Sequence, residues 1–295
     1  MNPSDITSLT RALELSISTA PPQKQHAVTA SVAYSRSGAS YPAGTVSSQT
    51  HILDLPSELA ALVRATHHGD YPITEVHTMA VDPATPVSPL ALKALADHTA
   101  RTGTAIRYAV FDMDGNILFS VDDARNALPF YRMPEHLLSA ATDPTRIVAL
   151  PQAREVAGES IESQLRRLSL AGTTLNFPTR DGASGYGAAV RTKDGTFYYG
   201  GQYSSFDKRL GIHAEVAVLV NALMSGASDI THLGIISSKA TDTPCNPCGC
   251  CRQFISELAR ARTFEPQIWC FASATEQANS YAIDELLPSV WTNRR

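Results

Sequence analysis

His213-Ala214-Glu215 and, further on, Pro247-Cys248-Gly249-Cys250-Cys251-Arg252-Gln253 are the residues of this chain best suited to chemistry. They offer one imidazole and two thiolates, donors that zinc prefers, with a carboxylate two residues from the imidazole. Three protein ligands leave the fourth tetrahedral position open, which separates a catalytic zinc site from a structural one. Such an ion lowers the pKa of bound water to about 7. Glu215 is then placed to move protons between that water and a substrate. His213, Cys248 and Cys251 are therefore the expected zinc ligands, and Glu215 the expected general acid and base.

The spacing implies how these groups are presented. Residues three apart share a helix face, so Cys248 and Cys251 reach one ion together from the first turn of a helix while Cys250 points elsewhere. The partial positive charge at a helix N-terminus favours both thiolates. Pro244-Cys245-Asn246-Pro247-Cys248 is an overlapping Pro-Cys-x-x-Cys, but it sets Pro247 between its two sulfurs. The later pair, followed by Arg-Gln and the apolar run Phe254–Ala261, is the better register. Arg252 is a candidate hydrogen-bond donor to a thiolate, set against the plainer reading of a solvated helix arginine.

Other readings compete. Cys245 or Cys250 as a fourth ligand would make the zinc a staple in a non-catalytic module. Val110-Phe111-Asp112-Met113-Asp114-Gly115-Asn116 has the look of a phosphatase aspartate motif, although Asp-Gly is also a common turn. His67, His68, His77 and His98 have no matching ligand set and read as surface or core histidines.

The 295 residues carry a formal charge of −4, a pI near 6.1 and 18% charged residues. No basic stripe marks a phosphate-gripping surface, so a small-molecule substrate fits better than nucleic acid, including a single strand for editing. No segment approaches the roughly 18 apolar residues of a membrane span. The N-terminus lacks the basic, apolar start of a secretory signal. Four of the five cysteines crowd residues 245–251, which suits metal binding in a reducing compartment. A cytoplasmic protein is expected.

The site needs helices opening at 213 and 248, and the chain supplies such helices twice. Sliding the first half by 157 positions puts Glu58 on Glu215, Gly38 on Gly195, Tyr41 on Tyr198, Gly44 on Gly201 and Gly69 on Gly226. Ala60, Leu62, Val63 and Ala65 fall on Ala217, Leu219, Val220 and Ala222. Each copy reads as a leading helix (Ile6–Ile17; Ser160–Leu170) and a hairpin (Ser31–Tyr34 with Ser40–Pro42; Ala188–Thr192 with Phe197–Tyr199). A helix (Glu58–Thr66; Ala214–Met224) and a strand (Val76–Val81; Leu233–Ser237) come next. Each copy closes on a helix (Leu90–Thr99; Cys251–Arg262) and a strand (Ile106–Phe111; Gln267–Ala272). Alternating strands and helices predict an α/β fold with a helix-covered sheet in each copy. Pro56 stands where His213 stands, and with one residue of slip Leu90 meets Cys248 and Lys93 meets Cys251. The expected organisation is a degenerate domain without zinc ligands at 1–135, a linker at 136–156 and the catalytic domain at 157–295.

These residues resemble the cytidine deaminase family. Pro247–Phe254 is similar to its Pro-Cys-Gly-x-Cys-Arg-Gln motif, and His213-Ala214-Glu215 to its His/Cys-Ala-Glu. Gly187-Ala188-Ala189, Gly200-Gly201 and Glu285–Trp291 match further landmarks. The resemblance implies two tandem three-layer α/β/α cytidine-deaminase-like domains and a zinc-dependent deamination of a cytidine-like nucleoside. It also implies a homodimer of the two-domain branch, here with the active half C-terminal, and a place in pyrimidine salvage. Trp291 stands for the aromatic residue that packs near the base, and Ala214 lies in the substrate-binding stretch. The family's ribose-binding Asn and Glu correspond to Gln202 and Ser204, and its phenylalanine before Gly-Ala-Ala to Ser184. Loss of that carboxylate opens a modified nucleoside, a nucleotide or another aminopyrimidine as substrate.

Overall fold

The structure is a computed structural model and describes residues 3–49, 53–85, 87–128, 151–177, 185–205 and 207–290. It divides into two compact units, Met1–Ile147 with Ser205–Leu210, and Val148–Ser204 with Gly211–Arg295.

The first unit runs α1 (Pro3–Thr19), β1 (Thr29–Ser35), β2 (Ser40–Gly44), α2 (Ser57–His67), β3 (Ile73–Ala80), α3 (Pro89–Thr102), β4 (Arg107–Phe111) and β5 (Ile117–Val121). Its sheet has the order β2-β1-β3-β4-β5, with only β3 and β4 parallel. Alternate residues of β1 serve opposite faces, as a pleated strand requires. Ala30 and Val32 pack with Leu9 and Leu13 of α1, whereas Ser31 Oγ meets Ser57 Oγ of α2 at 2.7 Å.

The second unit begins with β6 (Gln152–Arg154) and α4 (Ile161–Gly172). Then come β7 (Tyr186–Thr192), β8 (Thr196–Gly201), α5 (Ala214–Met224), β9 (Ile230–Ser237), α6 (Gly249–Arg262), β10 (Gln267–Phe271), β11 (Ala278–Ala282) and α7 (Ile283–Leu286). The order β11-β10-β9-β7-β8-β6 repeats that of the first sheet, with β6 added at one edge. Leu165 and Leu168 of α4 pack on Ala189, Phe197, Ile236 and Phe271, forming the core on one face. The alternate residues Ala188, Val190, Leu233 and Ile235 are equally buried on the face that carries α5.

The repeat is therefore structural, down to its irregularities. Ala30 pairs with Gly44 as Gly187 pairs with Gly201, and each central strand slips register at Tyr34/Ser35 or Arg191/Thr192. Gly69 and Gly226 end α2 and α5 with φ of 70° and 89°. In each case the following N–H, of Asp70 or Ala227, reaches back five residues, to Ala65 O or Ala222 O.

One pairing expected between the halves is corrected. Helices α3 and α6 have equal length, with Ser88 and Cys248 as N-caps and Gly103 and Thr263 as left-handed C-caps. Cys248 therefore corresponds to Ser88 and Cys251 to Ala91, not to Leu90 and Lys93. The offset grows from 157 to 160 because the loop entering α6 is longer than the loop entering α3. Of the stretch read as a linker, residues 136–150 lie outside the described residues, and Gln152–Arg154 form the edge strand β6. Among the described residues no helix is long and apolar enough to cross a membrane.

Candidate metal centre

His213 is the N-cap of α5 and holds an extended backbone, φ −68° and ψ 155°, which turns its ring out of the helix. Cys248 is the N-cap of α6, and Cys251 lies in the first turn of the same helix. His213 Nδ1 is 3.5 Å from each sulfur, and the two sulfurs are 3.5 Å apart. Ligands at about 2.0–2.3 Å from a tetrahedral zinc lie roughly 3.5–3.8 Å from one another, so the triangle has the size such an ion requires. It is the one group of three metal-ligating side chains of this kind among the described residues. His213 is open to solvent, whereas Cys251 is buried.

The electrostatics also suit a dication. Donation from Cys251 and His213 pulls the Cys248 thiol down to about 3. The same crowding, with burial, pushes Cys251 far above the usual thiol range. Burial raises Glu215, which is 1% exposed, and its Oε2 finds no hydrogen-bond partner among the described residues. A buried carboxylate oxygen without a partner is costly unless it faces an ion or a ligand.

Cys245 and Cys250 lie outside the triangle, as the later register requires. Burial, with Glu215 nearby, pushes the Cys245 thiol up to about 12. The donation expected from Arg252 to a thiolate is corrected. Its Nε donates to Pro247 O at 2.8 Å and its Nη1 to Leu286 O at 2.9 Å, because a planar fork is best satisfied by carbonyls at the right separation.

Gln202 and Ser204 follow β8. The Gln202 N–H donates to Asn176 Oδ1 at 3.0 Å, and the Ser204 N–H to Phe177 O at 2.9 Å. Ala214 is the first residue of α5 and fully buried. Trp291 and Ser184 lie outside the described residues. Two neighbours went unread in the sequence. Asn176 braces three segments, accepting from the Tyr186 and Gln202 N–H groups and donating to Thr173 O. The Tyr186 ring lies parallel to that of His213, with centroids 6.4 Å apart. An isolated Asn-Phe after a helix carries no pattern that announces such a brace.

Among the described residues the first unit has no counterpart triangle, and Pro56, Ser88 and Ala91 occupy the equivalent positions. Asp112 accepts from the Asn116 and Asp114 N–H groups in the tight turn between β4 and β5, with Gly115 at φ 85°. That accounts for the Asp-Met-Asp-Gly run as turn chemistry. His98 is fully buried, with its Nε2 2.6 Å from Tyr71 O.

No protein-family model matches the chain. A cytidine deaminase of Vibrio atlanticus (strain LGP32) is 30% identical over 151 residues, 50% of this chain and 45% of that protein. One from Photobacterium profundum is 36% identical over 84 residues, 28% of this chain and 26% of that protein. The chain thus spans less than half the length of these curated relatives. Among solved structures, a cytidine deaminase from Burkholderia pseudomallei is 22% identical with a TM-score of 0.39, covering 43% of this chain and 97% of that one. By sequence the chain is thus similar to cytidine deaminases over part of its length.

Proposed function

We propose that the chain is a zinc-dependent hydrolase that deaminates cytidine, deoxycytidine or a related aminopyrimidine nucleoside, giving the uridine product and ammonia. One observation carries this reading: a triangle of His213, Cys248 and Cys251 beside a buried Glu215 with one oxygen unpartnered.

His213 Nδ1 and the sulfurs of Cys248 and Cys251 would hold the zinc. When bound, the ion supplies Lewis acidity that makes water a nucleophile near neutral pH. Glu215 takes the proton from the attacking water and delivers it to a ring nitrogen, which prepares the amidine-like carbon for addition. The same carboxylate then takes the remaining proton of the added hydroxyl and passes it to the amine, so the carbonyl forms as the carbon–nitrogen bond breaks and ammonia leaves. Burial suits Glu215 to both steps, because it raises the carboxyl towards the pH at which a group accepts and returns protons with equal ease.

In this reading residues 157–295 form the catalytic domain, residues 1–135 a degenerate structural partner, and residues 136–156 connect them. Gln202, Ser204, Ala214 and Trp291 form the substrate wall. Neutral Gln202 and Ser204 favour a substrate whose sugar contact needs no carboxylate, which brings in a modified nucleoside or a nucleotide. A homodimer in the cytoplasm, acting in pyrimidine salvage, completes the proposal.

The test is ammonia release over cytidine, deoxycytidine, their monophosphates, cytosine and base-modified analogues, with metal analysis of the same protein. The expected result is close to one zinc per chain and turnover of at least one aminopyrimidine. Zinc without turnover of any of them would point to a structural zinc module.

A further inference from the structure

We infer that Arg252 is a positioning residue that latches the Cys248 turn to the C-terminal segment through two backbone carbonyls.

Pro247 directly precedes Cys248, so the bond from Arg252 Nε to its carbonyl closes a ring around the whole chelating turn. The Arg252 backbone N–H also donates to Cys248 O at 3.0 Å, so one residue grips the turn twice. Without its side chain, the Pro247 carbonyl would lose the charged donor that sets the direction from which the chain enters the N-cap.

The second bond leads elsewhere. Leu286 is the last residue of the one-turn helix α7, where carbonyls have no partner within the helix. A guanidinium satisfies such a carbonyl well, and here one does so at 2.9 Å. The start of α7 is held separately, by the Ala282 N–H donating to Glu285 Oε2 at 2.7 Å. Arg252 thus joins the turn that carries two sulfurs to the segment leading towards Trp291. Two different nitrogens of one rigid fork reach the two carbonyls, a spread of donors that the single nitrogen of lysine does not reproduce. A charge acting on the thiolates would be served by either residue.

The latch itself is independent of zinc, but its consequence for the metal rests on the proposed function. The experiment compares wild type, Arg252→Lys and Arg252→Gln by hydrogen exchange at the Leu287 amide, which donates to Ile283 O at 2.9 Å. It also follows zinc loss to a chelator and the thiolate-to-cobalt absorption band of Co²⁺-loaded protein. The latch predicts faster Leu287 exchange in both variants and zinc release accelerated roughly ten- to a hundredfold in both, as for other residues that orient ligands, with the cobalt band unmoved. A lysine variant indistinguishable from wild type overturns it, as does a shifted cobalt band with Leu287 exchange unchanged. If wild type holds no zinc, the metal reading fails while the exchange arm still decides the latch. If neither variant folds, the wild-type Arg252 Nε–H signal decides: slow solvent exchange supports the latch, and exchange as fast as a surface arginine overturns it.

Discussion

Glu58 and Glu215 are each the second residue of the corresponding helix, yet their carboxylates live in opposite circumstances. Glu58 Oε1 accepts from Tyr108 Oη at 2.6 Å and Thr78 Oγ1 at 3.1 Å, and Ser57 Oγ lies 3.4 Å from Oε2. The positions of Ser57, Thr78 and Tyr108 are taken in the second unit by Ala214, Ile235 and Ile268, and Glu215 Oε2 finds no hydrogen-bond partner among the described residues. The first unit surrounds its buried carboxylate with hydroxyls, while the second leaves one carboxylate oxygen without a hydrogen-bond partner among the described residues.

Replacing the two glutamates should therefore give opposite phenotypes. Glu215→Gln is expected to lower ammonia release by roughly a hundred- to ten-thousandfold while zinc content stays at the wild-type level. Glu58→Ala removes the acceptor of the buried Tyr108 and Thr78 hydroxyls and should cost about 2–3 kcal/mol in denaturant unfolding, with kcat/KM unchanged. Activity lost with Glu58 and kept with Glu215 would reverse the assignment of the two halves.

Metal content separates the overlapping motifs. Cys251→Ala removes the buried sulfur of the triangle and should leave the purified protein without zinc. Cys245→Ala should keep it, because Cys245 is outside the ligand set. Elemental analysis of both proteins checks this, and the reverse pattern would select the earlier Pro-Cys-x-x-Cys.

What the sequence disclosed follows from which signals are local. The His213, Cys248 and Cys251 cluster was legible because metal-binding side chains at helix starts have recognisable types and spacing, and the repeat because its glycines answer to steric needs in both halves. The closing strands β5 and β11 were not. Ala278–Ala282 is polar and without alternation, and Ile117–Val121 lies at an edge where none of its residues is buried. Edge pairing is decided by the neighbouring strand, which no local pattern reports. The match of Cys248 to Leu90 failed for a related reason: a loop insertion changes the offset without touching either helix. Arg252 was weighed as a donor to a thiolate or a solvated helix arginine, and its carbonyl partners went unread because a carbonyl acceptor has no residue type to read.

Gly187 provides a test of the packing that supports the site. A Cβ there would fall 2.0 Å from Ser169 O and 2.7 Å from Thr173 N, both backbone atoms that cannot step aside. Gly187→Ala must push α4 away from β7, and overpacking of this kind costs about 1–3 kcal/mol. The expected result is a lowered Tm. A Tm equal to wild type would mean that α4 does not approach β7 as closely as described.

His98 links stability to pH. It is fully buried, and desolvation, with Arg101 adding to it, lowers its pKa from 6.5 to about 4 despite the bond to Tyr71 O. The native state therefore binds fewer protons than the unfolded state between those values, so acid favours unfolding. The contribution is complete above pH 6.5 and is lost as pH falls through about 4. By linkage it amounts to about 3 kcal/mol for a group this deeply buried. Denaturant unfolding of wild type at pH 7 and near pH 4 should show that loss on top of any general acid effect. His98→Gln, which can still donate to Tyr71 O but does not titrate, should lose correspondingly less over the same interval. Equal losses in the two proteins would show that His98 is protonated in the folded state or reached by water.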